Sequence, residues 1–113
     1  MPYINTVTNV PRDGAKETAI KEKLGAALAA LGKSENWLML NFTYDAPMYF
    51  AGKADAPMAI AEVSLYGKES AQAYDEMTAR VTAILAEELA ISPDRIYVKY
   101  DEVQYWGWNG NNF

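Results

Sequence analysis

Residues 3–8 (Tyr-Ile-Asn-Thr-Val-Thr) alternate along the chain and are rich in strand formers, and Asn9-Val10-Pro11-Arg12-Asp13-Gly14 ends them with turn chemistry. The period then changes. Ile20, Leu24, Ala27, Leu28 and Leu31 recur at helical spacing, which predicts a helix over 15–31 with Asp13 as its N-cap and Gly32 as its stop. A second strand is predicted over 37–44, an irregular stretch holding Pro47, Gly52 and Pro57 over 46–57, and a third strand over 58–66. A second helix follows over 69–90, with Tyr74, Met77, Val81, Ile84, Leu85 and Leu89 on one face. Ser92-Pro93-Asp94 turns the chain into a fourth strand at 95–103, and the tail from Trp106 to Phe113 is aromatic and turn-rich.

The two halves repeat. Ile20, Leu24 and Leu28 fall on Met77, Val81 and Leu85, while Ser34, Leu38 and Leu40 fall on Ser92, Ile96 and Val98 after a one-residue slip in a turn. Tandem β-α-β units predict an α+β, two-layer sandwich: one mixed four-stranded sheet with both helices on one face. Alternation directs Leu38, Leu40, Phe42, Ile96 and Val98 toward the helices and leaves Trp37, Met39, Tyr97 and Lys99 on the other side. The strand at 58–66 sends Ala59, Ala61, Val63 and Leu65 one way and Met58, Ile60 and Tyr66 the other. A sheet face carrying Met, Ile, Trp and Tyr predicts a homo-oligomer that covers it.

The 113 residues predict a single domain, 1–113, burying roughly 60–70% of its unfolded surface. Hydrophobic residues make up 50% and charged ones 22%, which excludes disordered and collagen-like classes. No apolar run approaches the ~20 residues that cross a bilayer, and nothing reads as a signal peptide, so a cytoplasmic protein without membrane partners is expected. A net charge of −5 with scattered Lys and Arg argues against nucleic acid. The absence of Cys and His removes thiol nucleophiles, disulfides, Ser-His-Asp relays and the usual nitrogen/sulfur zinc sites, and no metal site is predicted. Any proton chemistry must come from carboxylates, Lys, Tyr or the chain terminus.

Pro2 is the main candidate. Removal of Met1 would make its ring nitrogen a secondary amine; α-amines titrate near ~7.7–8.0, and burial or a nearby ammonium lowers that value. A neutral amine can act as general base without His. In an arbitrary chain, Pro at position 2 does no more than permit Met removal. Lys33 would ordinarily complement a helix C-terminus, Tyr97 and Lys99 would ordinarily be a solvated or interfacial pair, and Trp106 and Trp108 would ordinarily cap an apolar patch.

Taken together, Met1-Pro2, Thr8-Asn9-Val10-Pro11, Gly32-Lys33, Ile91-Ser92-Pro93-Asp94-Arg95-Ile96-Tyr97 and Gly107-Trp108-Asn109 leading to Phe113 resemble the tautomerase superfamily, specifically the macrophage migration inhibitory factor group that includes D-dopachrome tautomerase. The resemblance spans the chain. It implies an amino-terminal proline base at Pro2, a carboxylate-binding lysine at Lys33, and a tyrosine from a neighbouring subunit at Tyr97. It further implies a backbone contact at Tyr66, apolar walls at Trp106, Trp108 and Phe113, and Tyr3 and Trp37 near the mouth. It implies homotrimers with intersubunit sites and requires no cofactor.

Several positions depart from the family pattern. Lys99 stands where relatives often have Asn, which would add a second substrate-binding cation, and Tyr66 and Trp106 are bulkier than usual. Met58 and Ala61 stand where some animal members have Cys, which excludes thiol-redox activity. The implied function is keto–enol tautomerisation of phenylpyruvate-type aromatic α-keto acids, with dopachrome-like compounds as a further substrate type. The alternative is a binding or signalling protein whose tautomerase activity is incidental, and such relatives are exported without a signal peptide. Hydration or decarboxylation would need extra pocket Arg or Glu residues that the sequence does not assign.

Overall fold

The computed structural model describes residues 1–113. Strand β1 (Pro2–Thr8) leads to helix α1 (Gly14–Ala27), β2 (Met39–Thr43), β3 (Ala59–Tyr66), helix α2 (Ala71–Leu89) and β4 (Ile96–Val103), and the tail forms β5 (Gly107–Trp108) and β6 (Asn111–Asn112). The main sheet runs β2-β1-β3-β4. β1 is parallel to β2, β3 is parallel to β4, and the two halves meet along the antiparallel β1–β3 pair. This is the predicted mixed sheet of two β-α-β units.

One core joins both helices to one face of the sheet. Ile20, Leu24 and Leu28 from the first helical segment and Met77, Val81 and Leu85 from α2 are fully buried against Ile4, Ala61 and Val63. Leu40, Phe42 and Val98 pack at its margin, as the alternation requires. The opposite face stays open in the single chain, with Met39 68% and Tyr97 61% exposed. No helix is long and apolar enough to cross a membrane.

Asp13 caps α1, accepting the Ala15 and Lys16 N–H groups at 3.0 and 3.2 Å. Asp13→Ala is expected to cost ~1 kcal/mol, read by chemical denaturation; an unchanged midpoint would mean that water serves those donors equally well. The predicted helix to Leu31 is α-helical only to Ala27 and tightens into a 3-10 turn over Leu28–Leu31, a common way for helices to satisfy their last carbonyls. Gly32 ends it in the left-handed region at φ 64°.

Other element boundaries also shift. Trp37 belongs to a 3-10 turn (Glu35–Trp37) capped by Ser34, so β2 begins at Met39. Met58 does not face the open side: it precedes β3, its N–H bonds Asn9 Oδ1 at 2.9 Å and its carbonyl accepts from Thr8 at 2.7 Å, and these anchors leave it 3% exposed. The tail is a hairpin whose central residues Asn109 and Gly110 both have positive φ, the conformation that tight two-residue hairpin loops demand.

Candidate active site

β1 starts at Pro2, which is buried and pairs with Leu65 of β3. Tyr3, in the next register position, lies between Met39 of β2 and Ser64 of β3. The amino terminus therefore sits inside the sheet rather than fraying from it. A cavity of about 740 Å³ opens there, lined by Met1, Pro2, Tyr3, Trp37, Trp106 and Trp108 together with Asn36, Leu38, Met39, Ser64, Val103 and Gly107. The Met1 carbonyl accepts the Tyr66 N–H at 3.2 Å, so with Met1 in place that backbone donor is occupied.

Lys33 follows directly on the left-handed Gly32, and its N–H donates to the Leu28 carbonyl at 3.1 Å, which locks the turn to the end of the helix. No carboxylate of the chain pairs with its ammonium group. Burial, and secondarily the positive charge of Lys33, hold the terminal amine of Met1 below its ordinary pKa. Both influences act against the charged form of that amine.

The aromatic wall is a chain of ring contacts. Trp37 meets Trp108 edge-on at 4.8 Å, Trp108 stacks on Phe113 at 6.3 Å, and Phe113 meets Tyr66 at 5.5 Å. The Phe113 N–H closes the hairpin onto the Trp106 carbonyl at 3.0 Å. Trp106 and Trp108 thus border the cavity, whereas Tyr66 and Phe113 are not part of its lining in the single chain; Phe113 packs on Trp108 and Tyr66 on Phe113.

Tyr97 and Lys99 are elsewhere. Pro2 is level with Leu65 and Glu102, but Tyr97 is level with Ile60 and Val7, about 16 Å further along the strands at ~3.3 Å per residue. Tyr97 rests against Phe50 at 5.6 Å, and Lys99 is paired with Glu62 at 3.4 Å and Asp101 at 3.8 Å. One chain therefore gathers Pro2, Trp106 and Trp108 on the cavity wall, leaves Lys33 outside the lining but near enough for its charge to act on the Met1 amine, and holds Tyr97 and Lys99 apart on its open face.

Asn36, Ser64 and Val103 had no sequence signal as cavity residues; strand register alone brings Ser64 beside Tyr3. Met39 was legible as an open-face position through alternation. A smaller cavity of about 450 Å³ between α1 and β2 is lined by Leu38, Leu40 and Phe42 with Glu17, Lys21 and Glu35, and holds no terminal amine. No group of three or more Asp or Glu residues is arranged to hold a metal ion.

A duplicated β-α-β sandwich with its first strand buried at the amino terminus, and an aromatic cavity with an unpaired lysine nearby, define a class of small α+β proteins. The chain belongs to the macrophage migration inhibitory factor family, whose family model, Macrophage migration inhibitory factor (MIF), matches residues 1–113. It is 32% identical to macrophage migration inhibitory factor of Meriones unguiculatus over 115 residues, covering 100% of this chain and 99% of that one. The crystal structure of Leishmania major MIF2 superposes with a TM-score of 0.93 at 33% identity, covering 100% of this chain and 97% of the other. A fused 4-OT solved as a symmetric trimer shares the fold with a TM-score of 0.84 at 18% identity, covering 97% and 94%.

Proposed function

We propose that the protein is a keto–enol tautomerase of phenylpyruvate-type aromatic 2-oxo acids, with dopachrome-like compounds as a further substrate type, and that Pro2, freed by loss of Met1, is its general base. The observation that carries this reading is the placement of Pro2, buried at the start of β1, on the wall of an aromatic cavity, where burial and Lys33 hold the neighbouring Met1 amine below its ordinary pKa. Neutral Pro2 would take a proton from the carbon beside the keto group and deliver it to the carbonyl oxygen, leaving an enol and a regenerated amine. Lys33 would pair with the substrate carboxylate, and the Tyr66 N–H, released when the Met1 carbonyl leaves, would be a second donor for it. Trp106 and Trp108 would hold the ring, with Phe113 packed on Trp108 and Tyr66 on Phe113.

Tyr97 would polarise an oxygen as charge develops. Because Tyr97 lies about 16 Å along the sheet from Pro2 at ~3.3 Å per residue, a complete site needs Tyr97 from another copy. The exposed Met39 and Tyr97 of the open face support such an assembly, which we propose to be a homotrimer with three intersubunit sites.

Lys33 has a testable pH signature. Its ammonium disfavours the protonated amine, so removing it raises the amine pKa and more of the base is protonated at a given pH. In Lys33→Met the acidic limb of kcat/KM should therefore move to higher pH, and KM for phenylpyruvate should rise about tenfold or more for the lost charge-assisted contact. An unmoved limb and unchanged KM would exclude Lys33 from the site.

A second reading, a binding or signalling protein in which turnover is incidental, draws support from membership of a family described as a migration inhibitory factor. Retained partner binding in a Lys33 variant that no longer turns over substrate would favour it.

A further inference from the structure

A row of polar side chains crosses the open face of the sheet from edge to edge, one from each strand in the same register: Asn41 of β2, Asn5 of β1, Glu62 of β3 and Lys99 of β4. The row is directed throughout. The Asn41 amide donates to Asn5 Oδ1 at 2.9 Å, the Asn5 amide donates to Glu62 Oε1 at 3.1 Å, and Glu62 Oε2 faces the Lys99 ammonium at 3.4 Å. Both Glu62 oxygens are thus committed, one to orienting the carboxylate and one to the cation. Asp101, two residues beyond Lys99 on the same face, stands 3.8 Å from that ammonium.

Lys99 is therefore not a free cation. Glu62, Lys99 and Asp101 together carry one net negative charge at neutral pH. Lys99 shares its face of β4 with Tyr97, so whatever reaches Tyr97 also meets this cluster. Lys33, by contrast, has no carboxylate partner. A site assembled from the two regions has one unpaired cation, Lys33, and one cluster of net negative charge.

We propose that Glu62 is a specificity-determining residue: held by Asn5, it neutralises Lys99 and restricts the site to 2-oxo acids whose only anionic group is the carboxylate taken by Lys33. With Lys33 taken by the first carboxylate, a second carboxylate on the substrate would find no unpaired cation in such a site and a net negative cluster beside Tyr97, and would be disfavoured. The inference rests on the tautomerase reading above, because that reading brings Tyr97 and Lys99 of one copy to the cavity of another.

The test compares phenylpyruvate with 4-carboxyphenylpyruvate, which differs only by a charged group on the ring. Turnover of both by protein beginning at Pro2, and binding of both to the Pro2→Gly variant by calorimetry, give two readouts. The wild type should favour phenylpyruvate by about tenfold or more. Glu62→Gln, which keeps an oxygen for the Asn5 amide while removing the charge, should narrow that preference at least about fivefold, through KM and Kd for the dianion. Adding Lys99→Met to Glu62→Gln should restore the preference. A ratio that moves less than twofold in Glu62→Gln while the wild type binds phenylpyruvate overturns this inference and leaves the tautomerase reading standing. If the wild type binds neither acid, both fall.

Discussion

Protein that retains Met1 is expected to turn over phenylpyruvate about 10²–10⁴-fold more slowly than protein whose first residue is Pro2, the range by which a positioned general base accelerates proton transfer. With Met1 attached, the Pro2 nitrogen is an amide with no proton and no usable basicity. Two further consequences compound the loss. The Met1 carbonyl occupies the Tyr66 N–H at 3.2 Å, and Met1 itself lines the cavity. Intact mass separates the two forms, and enol absorbance measures each. Pro2→Gly, which leaves a primary amine in place of the ring nitrogen, should also fall well below the processed wild type. Equal rates for the Met1-bearing and processed forms, or for Pro2→Gly and wild type, would reject Pro2 as the base.

That test was conceivable from the sequence because a chain without His or Cys has few groups able to exchange a proton near neutral pH. The pattern also carried the fold well: the stripe Ile20, Leu24, Leu28 and its counterpart Met77, Val81, Leu85 are fully buried, and the alternation of Leu40 and Phe42 against Met39 correctly divides the two faces of β2. Periodicity did not reveal events at the ends of elements, where local hydrogen bonds decide the conformation. Met58 fits a strand's alternation, yet Asn9 and Thr8, distant in sequence, fix its backbone and turn it inward. Trp37 reads as strand, yet the Ser34 cap folds it into a turn that delivers its ring to Trp108.

The charges followed the same division. Lys99 looked like a second cation for substrate because its position and sign were visible, whereas its pairing with Glu62 depends on β3 and β4, separated in sequence by α2, lying side by side. The place of Lys33 just past a helix end was legible because Gly32 marks that end.

Leu28→Ala should show how far the core and the site are one structure. Leu28 is fully buried where α1 gives way to its final 3-10 turn, and truncation there is expected to cost ~2–5 kcal/mol through lost burial and the cavity left behind. For a domain of this size that corresponds to a fall in Tm of about 4–8 °C per kcal/mol, compared at equal protein concentration because assembly also stabilises. Leu28→Met, nearly conserving volume, should cost less than ~1.5 kcal/mol. The Leu28 carbonyl also receives the Lys33 N–H at 3.1 Å, so relaxation into the cavity shifts the turn that presents the ammonium group. KM for phenylpyruvate should consequently rise in Leu28→Ala at temperatures where circular dichroism shows it fully folded, and stay near the wild-type value in Leu28→Met. A destabilised Leu28→Ala with wild-type KM would mean that the Gly32–Lys33 turn is held by its own backbone hydrogen bonds and that packing beneath it sets stability alone.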